Sequence, residues 1–218
     1  ALSPQVAAGD SLEEFKQFFG EEQGEDVFQA ARRIAEFPLK MTAAVHLARE
    51  GFSFGMPPWF DGNWRWPGVL GDVNFQAPDW ANPDGITSIH ALVEQVRAKP
   101  GAYATLIENP EASAISRCDE IACACREAGR ILANCLVPER PEARTQLRVL
   151  QASAVITEQA ATENAAILRA RLAWEAVKNS VDPECSAQAR DDAVTWYQAG
   201  MDALNRQIGP ALDVARVY

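Results

Sequence analysis

Gly51-Phe52-Ser53-Phe54-Gly55 has the G-x-S-x-G spacing of a nucleophile elbow. Asp61, Asp72, Asp79 and Asp84 follow, then His90, so the order of a Ser–Asp–His triad is present. The chemistry would be acyl transfer, with Ser53 as nucleophile. An elbow, however, needs a strand before it and a helix after it, which strain the serine and supply the oxyanion hole. Here a helical pattern precedes the motif, Met56-Pro57-Pro58 follows it, and no parallel sheet is visible. The flanks favour a plainer reading, a glycine-flanked helix exit whose Phe52 and Phe54 pack inward.

Four of the five cysteines, Cys118, Cys123, Cys125 and Cys135, fall on one expected helix, and Cys185 opens another. On a straight helix each residue adds ~1.5 Å of rise, so none of the four can reach another in relaxed disulfide geometry. An odd count without a pairing points to free thiols and a reducing compartment. Cys123-x-Cys125 would aim its sulfurs at different faces of a helix, unlike a closed zinc knuckle. Cys118 and Cys125 instead match the apolar seam, as small core residues. Cys185 lies near a helix start, where the dipole favours a thiolate, but Asp182 and Glu184 oppose it. His46 and His90 lack ligand-spaced partners, and Asp72, Asn74, Asp79, Asn82 and Asp84 lack the glycine-centred calcium-loop pattern. Capping and Asx-turns explain those acids and amides. The expectation is therefore no metal and no cofactor.

The candidate binding residues are Trp59, Asp61, Trp64, Arg65, Trp66 and Trp80. They lie in a Gly- and Pro-rich segment, residues 51–86, that holds four of the six tryptophans. Such a segment is not a long helix, and loops of this length are functional or folded on their own terms. Asp61-Gly62 predicts a two-residue hairpin, with Trp59 facing Trp64 across a non-hydrogen-bonded pair. Two readings remain open for it. The segment caps the helices as an apolar plug, or it presents tryptophan faces to a partner or ligand.

The elements that must position these groups are helical. Ser11 with Glu14 is a capping-box pattern for a helix over 12–19, stopped at Gly20. Asp26 with Gln29 opens a second, with Val27, Ala31, Ile34 and Ala35 as its apolar face. A third covers 39–50. Thr87 or Ser88 opens a helix to about Ala98, closed by Pro100-Gly101. Asn109-Pro110-Glu111 reads as an N-cap, a first-turn proline and a first-turn acid, opening a helix to about Leu136. Its seam is Ile115, Cys118, Ala122, Cys125, Gly129, Leu132 and Leu136. The longest helix, about 142–180, carries Ala143, Leu147, Leu150, Ala154, Thr157, Ala161, Ala165, Leu168, Leu172 and Ala176. Their mean step of ~3.7 residues predicts a nearly straight helix. Asp182-Pro183-Glu184 opens the last, with the seam Ala193, Tyr197, Gly200, Leu204, Ile208, Ala211 and Ala215 and a kink at Gly209-Pro210.

The expected fold is mainly α and a single domain over 1–218, an antiparallel bundle built on three long C-terminal helices. Shorter N-terminal helices lie in 1–50, the aromatic insertion in 51–86 and the long helices in 87–218. A net charge of −10 and a sequence pI near 4.7 argue against nucleic acid and anionic membranes as partners. No apolar run is long enough to span a bilayer. No signal-peptide pattern and no Asn-x-Ser/Thr sequon occurs, which favours the cytoplasm while leaving an extracytoplasmic place open. The functional expectation is a non-enzymatic helical scaffold or adaptor that engages a protein partner, or its own copies, through the aromatic segment and exposed helix faces. The alternative is a small-molecule-binding protein or enzyme with its pocket between that segment and the helices.

Overall fold

The structure, a computed structural model, describes residues 8–35 and 85–216. These residues are 83% helical, so the mainly α class holds. The helices are α1 (Ala8–Phe19), α2 (24–35), α3 (Ile89–Ala98), α4 (Ala102–Glu108), α5 (Ala114–Asn134), α6 (Pro141–Asn179) and α7 (Pro183–Ala215). The expected helix over 39–50 and the Asp61-Gly62 hairpin lie outside the described residues.

Several helix ends follow from single residues. Gly20, at φ +104°, terminates α1 in a conformation that L side chains resist, and its N–H donates to the Lys16 carbonyl at 2.8 Å. Ser88 caps α3, its hydroxyl accepting from the Ala91 N–H at 3.4 Å. Pro141 and Pro183 take the first positions of α6 and α7, where a missing N–H costs nothing. Asp182 Oδ1 accepts from the Glu184 N–H at 3.0 Å. The Ser11 capping box is not used, because α1 already starts at Ala8.

The Asn109-Pro110-Glu111 signal misplaces the start of α5. Asn109 instead closes α4, donating its N–H to the Thr105 carbonyl at 2.8 Å. The chain then pairs in parallel with the lead-in to α3. The Thr87 N–H donates to the Ala112 carbonyl at 2.7 Å, and the Ala114 N–H donates to the Thr87 carbonyl at 2.9 Å. That bridge holds the backbone before Ala114 out of the helix. Ser113 and Ser116 then satisfy the first turn, the Ser113 N–H donating to Ser116 Oγ at 2.8 Å and the Ser116 N–H to Ser113 Oγ at 3.4 Å.

The described chain divides into two compact units. The first takes residues 8–35, 119–163 and 201–216. Its core joins Phe19, Val27, Ala30 and Ile34 to Ala128, Leu132, Ala143, Leu147 and Ala154, with Phe15, Phe18 and Leu150 packed on its edge. Phe15 meets Phe28 edge-on at 5.4 Å. α2 buries Val27, Ala30 and Ile34; Ala35 is exposed and Ala31 half-buried. Gly24 opens α2 so close to α1 that a Cβ there would lie 2.4 Å from Lys16 Cα. Gln151 Nε2 donates to the Leu132 carbonyl at 2.9 Å, satisfying part of the open end of α5.

The second unit takes residues 85–118 and 164–200 of the described chain. Ile89, Leu92, Val93 and Val96 of α3 are buried, as are Tyr103 and Ile107 of α4, Ile115 and Cys118 of α5, and Leu168, Leu172 and Ala176 of α6. Burying each large aliphatic side chain contributes about 1.5–3 kcal/mol. Tyr103 donates its hydroxyl to Asp192 at 2.8 Å, joining positions 89 residues apart. Burial and that hydrogen bond push the Tyr103 pKa well above its ordinary value, so the phenol stays a neutral donor. The Arg169 guanidinium sits 4.9 Å from the Trp196 ring centroid, tying α6 to α7.

The α6 seam is buried at Ala143, Leu147, Ala154, Ala161, Ala165, Leu168, Leu172 and Ala176. The α5 seam is buried at Ile115, Cys118, Ala122, Cys125 and Leu132, while Leu136 falls past the helix end and is exposed. On α7 the expected seam is wrong at most positions. Ala193 and Gly200 are buried, but Tyr197, Leu204, Ile208, Ala211 and Ala215 are exposed. α7 buries its small residues Ala189, Ala193, Gly200 and Ala203, while Val194, Tyr197, Leu204, Ile208 and Leu212 face outward. The helix runs on through Pro210.

Candidate functional site

The outward apolar residues of the second unit form a groove. On α6, Ile167, Ala170, Arg171, Trp174 and Lys178 recur at helical steps of three and four, so they share one stripe. That stripe lies beside the buried seam of Ala165, Leu168, Leu172 and Ala176 rather than within it. α7 supplies Ala193, Val194 and Tyr197 to the same groove, whose volume is about 520 Å³. Ala170 and Ala193 leave its middle open because they are small. Its rims are large and unsheltered: Ile167 is 43% exposed, Trp174 51%, Tyr197 59% and Val194 64%.

One end of the groove is charged. The Glu175 carboxylate is buried and its oxygens are engaged. Oε1 accepts from Lys178 Nζ at 2.5 Å, and Oε2 accepts from Arg97 Nε at 3.3 Å and from Asn179 Nδ2 at 3.5 Å. Burial alone would raise the Glu175 pKa, but the hydrogen bonds and charges of Lys178 and Arg97 outweigh it and hold the group below its ordinary range. Arg97 is correspondingly raised, since Glu175 and Glu94 outweigh its own desolvation. Arg171 goes the other way. Burial draws its pKa down to about 10, Arg97 adds repulsion, and Glu175 opposes both.

This arrangement makes Glu175 a fixed negative charge, with its lone pairs committed to two cations and an amide. It is poorly suited to general-base chemistry, which needs a group near neutrality within reach of a substrate proton. What the groove offers is apolar area and oriented charge.

The first unit has its own exposed apolar positions on α7. Leu204, Ile208 and Leu212 follow one another at steps of four. Val155, Pro210 and Val214 line a second open cavity there, of about 630 Å³, with Arg148, Asp213 and Arg216 among its other lining residues.

Trp59, Asp61, Trp64, Arg65, Trp66 and Trp80 lie outside the described residues, as do Ser53, His46 and the acids and amides of 72–84. His90 is exposed on α3. All five cysteines are free thiols; Cys118 and Cys125 are buried, Cys123 is exposed, and Cys135 and Cys185 are half-buried. Burial, with a smaller contribution from Glu158, pushes the Cys125 thiol up to about 12, so it is inert near neutrality. Among the described residues no group of three His, Cys, Asp or Glu is placed to hold a metal ion. No helix among them is long and apolar enough to cross a membrane.

Sequence reasoning missed the groove residues Ile167, Trp174 and Val194. A signal was available. They are the apolar positions left over on the long helices once each seam is assigned. No protein-family model, no curated protein and no solved structure matches this chain.

Proposed function

We propose that this chain is a non-enzymatic helical scaffold or adaptor that engages a protein partner, or its own copies, through exposed apolar helix faces. One observation carries the reading. Trp174, Val194, Tyr197 and Ile167, each between 43% and 64% exposed, line one open groove at whose charged end Glu175 pairs with Arg97 and Lys178. The aromatic segment with Trp59, Asp61, Trp64, Arg65, Trp66 and Trp80 is the second half of the same proposal, since tryptophan and arginine are enriched at interface hot spots.

The test separates association from folding. Trp174 is half exposed, so Trp174→Ala should cost under about 1 kcal/mol of stability. The same change should weaken association by tenfold or more, because a central aromatic anchor carries much of an interface. Light scattering reports self-association. A photo-cross-linker at Val194, with a control at the exposed Arg130, reports a foreign partner. A defined oligomer or a position-specific adduct that disappears in Trp174→Ala supports the proposal. A monomer that gives no adduct specific to position 194 sinks it.

A further inference from the structure

We infer that α7 pairs with α7 of a second copy of this chain, antiparallel about a two-fold axis level with Arg206. The inference rests on the proposed function and names its partner.

A helix at the surface of a fold needs one apolar stripe, and α7 carries two. Its small residues Ala189, Ala193, Gly200 and Ala203 are buried. The second stripe runs from Val194 through Tyr197, Met201, Leu204, Ile208 and Ala211 to Ala215. Its steps alternate three and four without a break, which is the a and d spacing of a coiled coil sustained over three heptads. The buried seam of α6 steps instead at ~3.7 residues, so the heptad spacing is not the period of that internal packing. Met201 is half-buried and the other six stripe residues are exposed. Gly209 and Pro210 fall at b and c positions, off the stripe.

Length narrows the choice of occupant. At ~1.5 Å per residue the stripe extends about 32 Å. Outside the described residues the sequence reads as helix only over 39–50, about 18 Å, which is too short to lie along it. A helix of matching length and period is α7 itself.

Residue sizes select the copy and its direction. Reversed against itself with Leu204 opposite Ile208, the stripe sets Met201 opposite Ala211 and Tyr197 opposite Ala215. Each layer then joins a large side chain to a small one, or two of middle size, and space fills evenly. A parallel pair would stack Tyr197 on Tyr197 and Ala215 on Ala215, crowded at one end and void at the other. Charge is compatible with the same pairing. Two chains of net charge −10 repel, so an interface between copies must not set acid against acid. The positions of α7 that flank the stripe hold Gln198, Gly200, Asn205, Gln207, Leu212 and Val214, none of them ionisable. Asp202 and Asp213 fall at b and f positions, away from the seam.

The experiment uses the full chain alone. Analytical ultracentrifugation should show a dimer that dissociates on dilution. Ile208→Glu should raise its dissociation constant by about a hundredfold or more, because a two-fold pair meets each substitution twice. Leu204→Glu should do the same, which keeps the test open if one variant fails to fold by circular dichroism. Arg206→Ala, at an exposed f position, should leave the dimer unchanged. An aromatic photo-cross-linker in place of Tyr197, in a mixture of isotopically light and heavy chains, reads the direction. Trypsin cuts after Arg190, Arg206 and Arg216, so an antiparallel pair joins position 197 to peptide 207–216 of the other copy.

An adduct on peptide 191–206 of the other copy means a parallel pair and overturns the inference. A dimer that survives both Ile208→Glu and Leu204→Glu forms elsewhere and overturns it too. A monomer whose position 194 gives a foreign adduct that Trp174→Ala abolishes overturns the inference and leaves the proposed function standing. A monomer with no adduct specific to position 194 ends both.

Discussion

Gly24 and Gly129 make a matched test of how closely the helices of the first unit approach. Gly129 sits inside α5, where replacement by alanine gains about 0.8–1.0 kcal/mol of intrinsic propensity, whereas Gly24 is the first residue of α2, where that gain is smaller. The space differs too. A Cβ on Gly129 would lie 3.6 Å from the Ala154 Cβ, an ordinary van der Waals contact, so the methyl fills space without displacing anything. Gly129→Ala should therefore stabilise by about 0.5–1 kcal/mol. At ~2–4 °C per kcal/mol for a chain of this size, the melting temperature should rise by about 1–4 °C. A Cβ on Gly24 would lie 2.4 Å from Lys16 Cα and 2.7 Å from Lys16 N, both backbone atoms. Neither can move without shifting α1 away from α2. Overpacking of that kind costs typically about 1–3 kcal/mol and exceeds the propensity gain. Gly24→Ala should thus lower the melting temperature by a few degrees. Circular dichroism melts at 222 nm, with urea titrations to confirm the sign, provide the assay. A stabilising Gly24→Ala would refute the close approach of α2 to α1. A destabilising Gly129→Ala would refute the 3.6 Å of room between α5 and α6 at Ala154.

Three further outcomes are expected. Ala161 is fully buried, so Ala161→Leu should cost on the order of 1–3 kcal/mol, and the half-buried Ala160→Leu less; equal melting temperatures would put the α6 seam out of register. Glu175 has a depressed folded pKa, so its stabilising contribution is complete above its ordinary value of 4.5 and lost as pH falls through the lower folded value. Urea titrations between pH 6 and pH 3 should then show Glu175→Gln converging with the native protein at the acid end; a difference that stays constant would refute the ion-pair account. Under native conditions a thiol reagent should label the exposed Cys123 first and reach Cys118 and Cys125 only on unfolding, and all five sites should label in denaturant without reductant.

Much of the fold was legible because burial and periodicity agree wherever one face of a helix is apolar. On α6 the seam is buried along nearly its whole length, even though Val155, Ile167 and Trp174 lie off it. Repeated alanine marks the positions where helices meet closely. α7 defeats the same reasoning because two adjacent stripes are apolar. Periodicity alone cannot choose between Ala189, Ala193, Gly200 and Ala203 on one side and Tyr197, Leu204 and Ile208 beside them. The large residues look like core, yet the small ones are buried. The false start at Asn109 has another cause. Its local signal is sound, but a pairing with Thr87, on the other side of α3 and α4, overrides it. α4 passed unseen because it is only seven residues long and Gly101 supplies no side-chain cap. The groove was hidden for a related reason, since its charged end is completed by Arg97, 78 residues from Glu175.

The bridge between Thr87 and Ser113 bears on how the second unit assembles. It closes a short stretch of chain around α3 and α4, and the entropy lost in closing a loop grows only slowly with its length. The partners that complete the unit, Glu175 for Arg97 and Asp192 for Tyr103, lie 78 and 89 residues away. Local contacts form faster than distant ones, so α3, α4 and the first turn of α5 can associate before the later segments arrive. The Thr87 amide precedes α3 and the Ala114 amide is at the first position of α5, so neither has an intrahelical acceptor and both would exchange with solvent at loop rates if left open. Their bonds across the bridge give them a protection of their own, and its loss on partial destabilisation would time the release of this early-formed element.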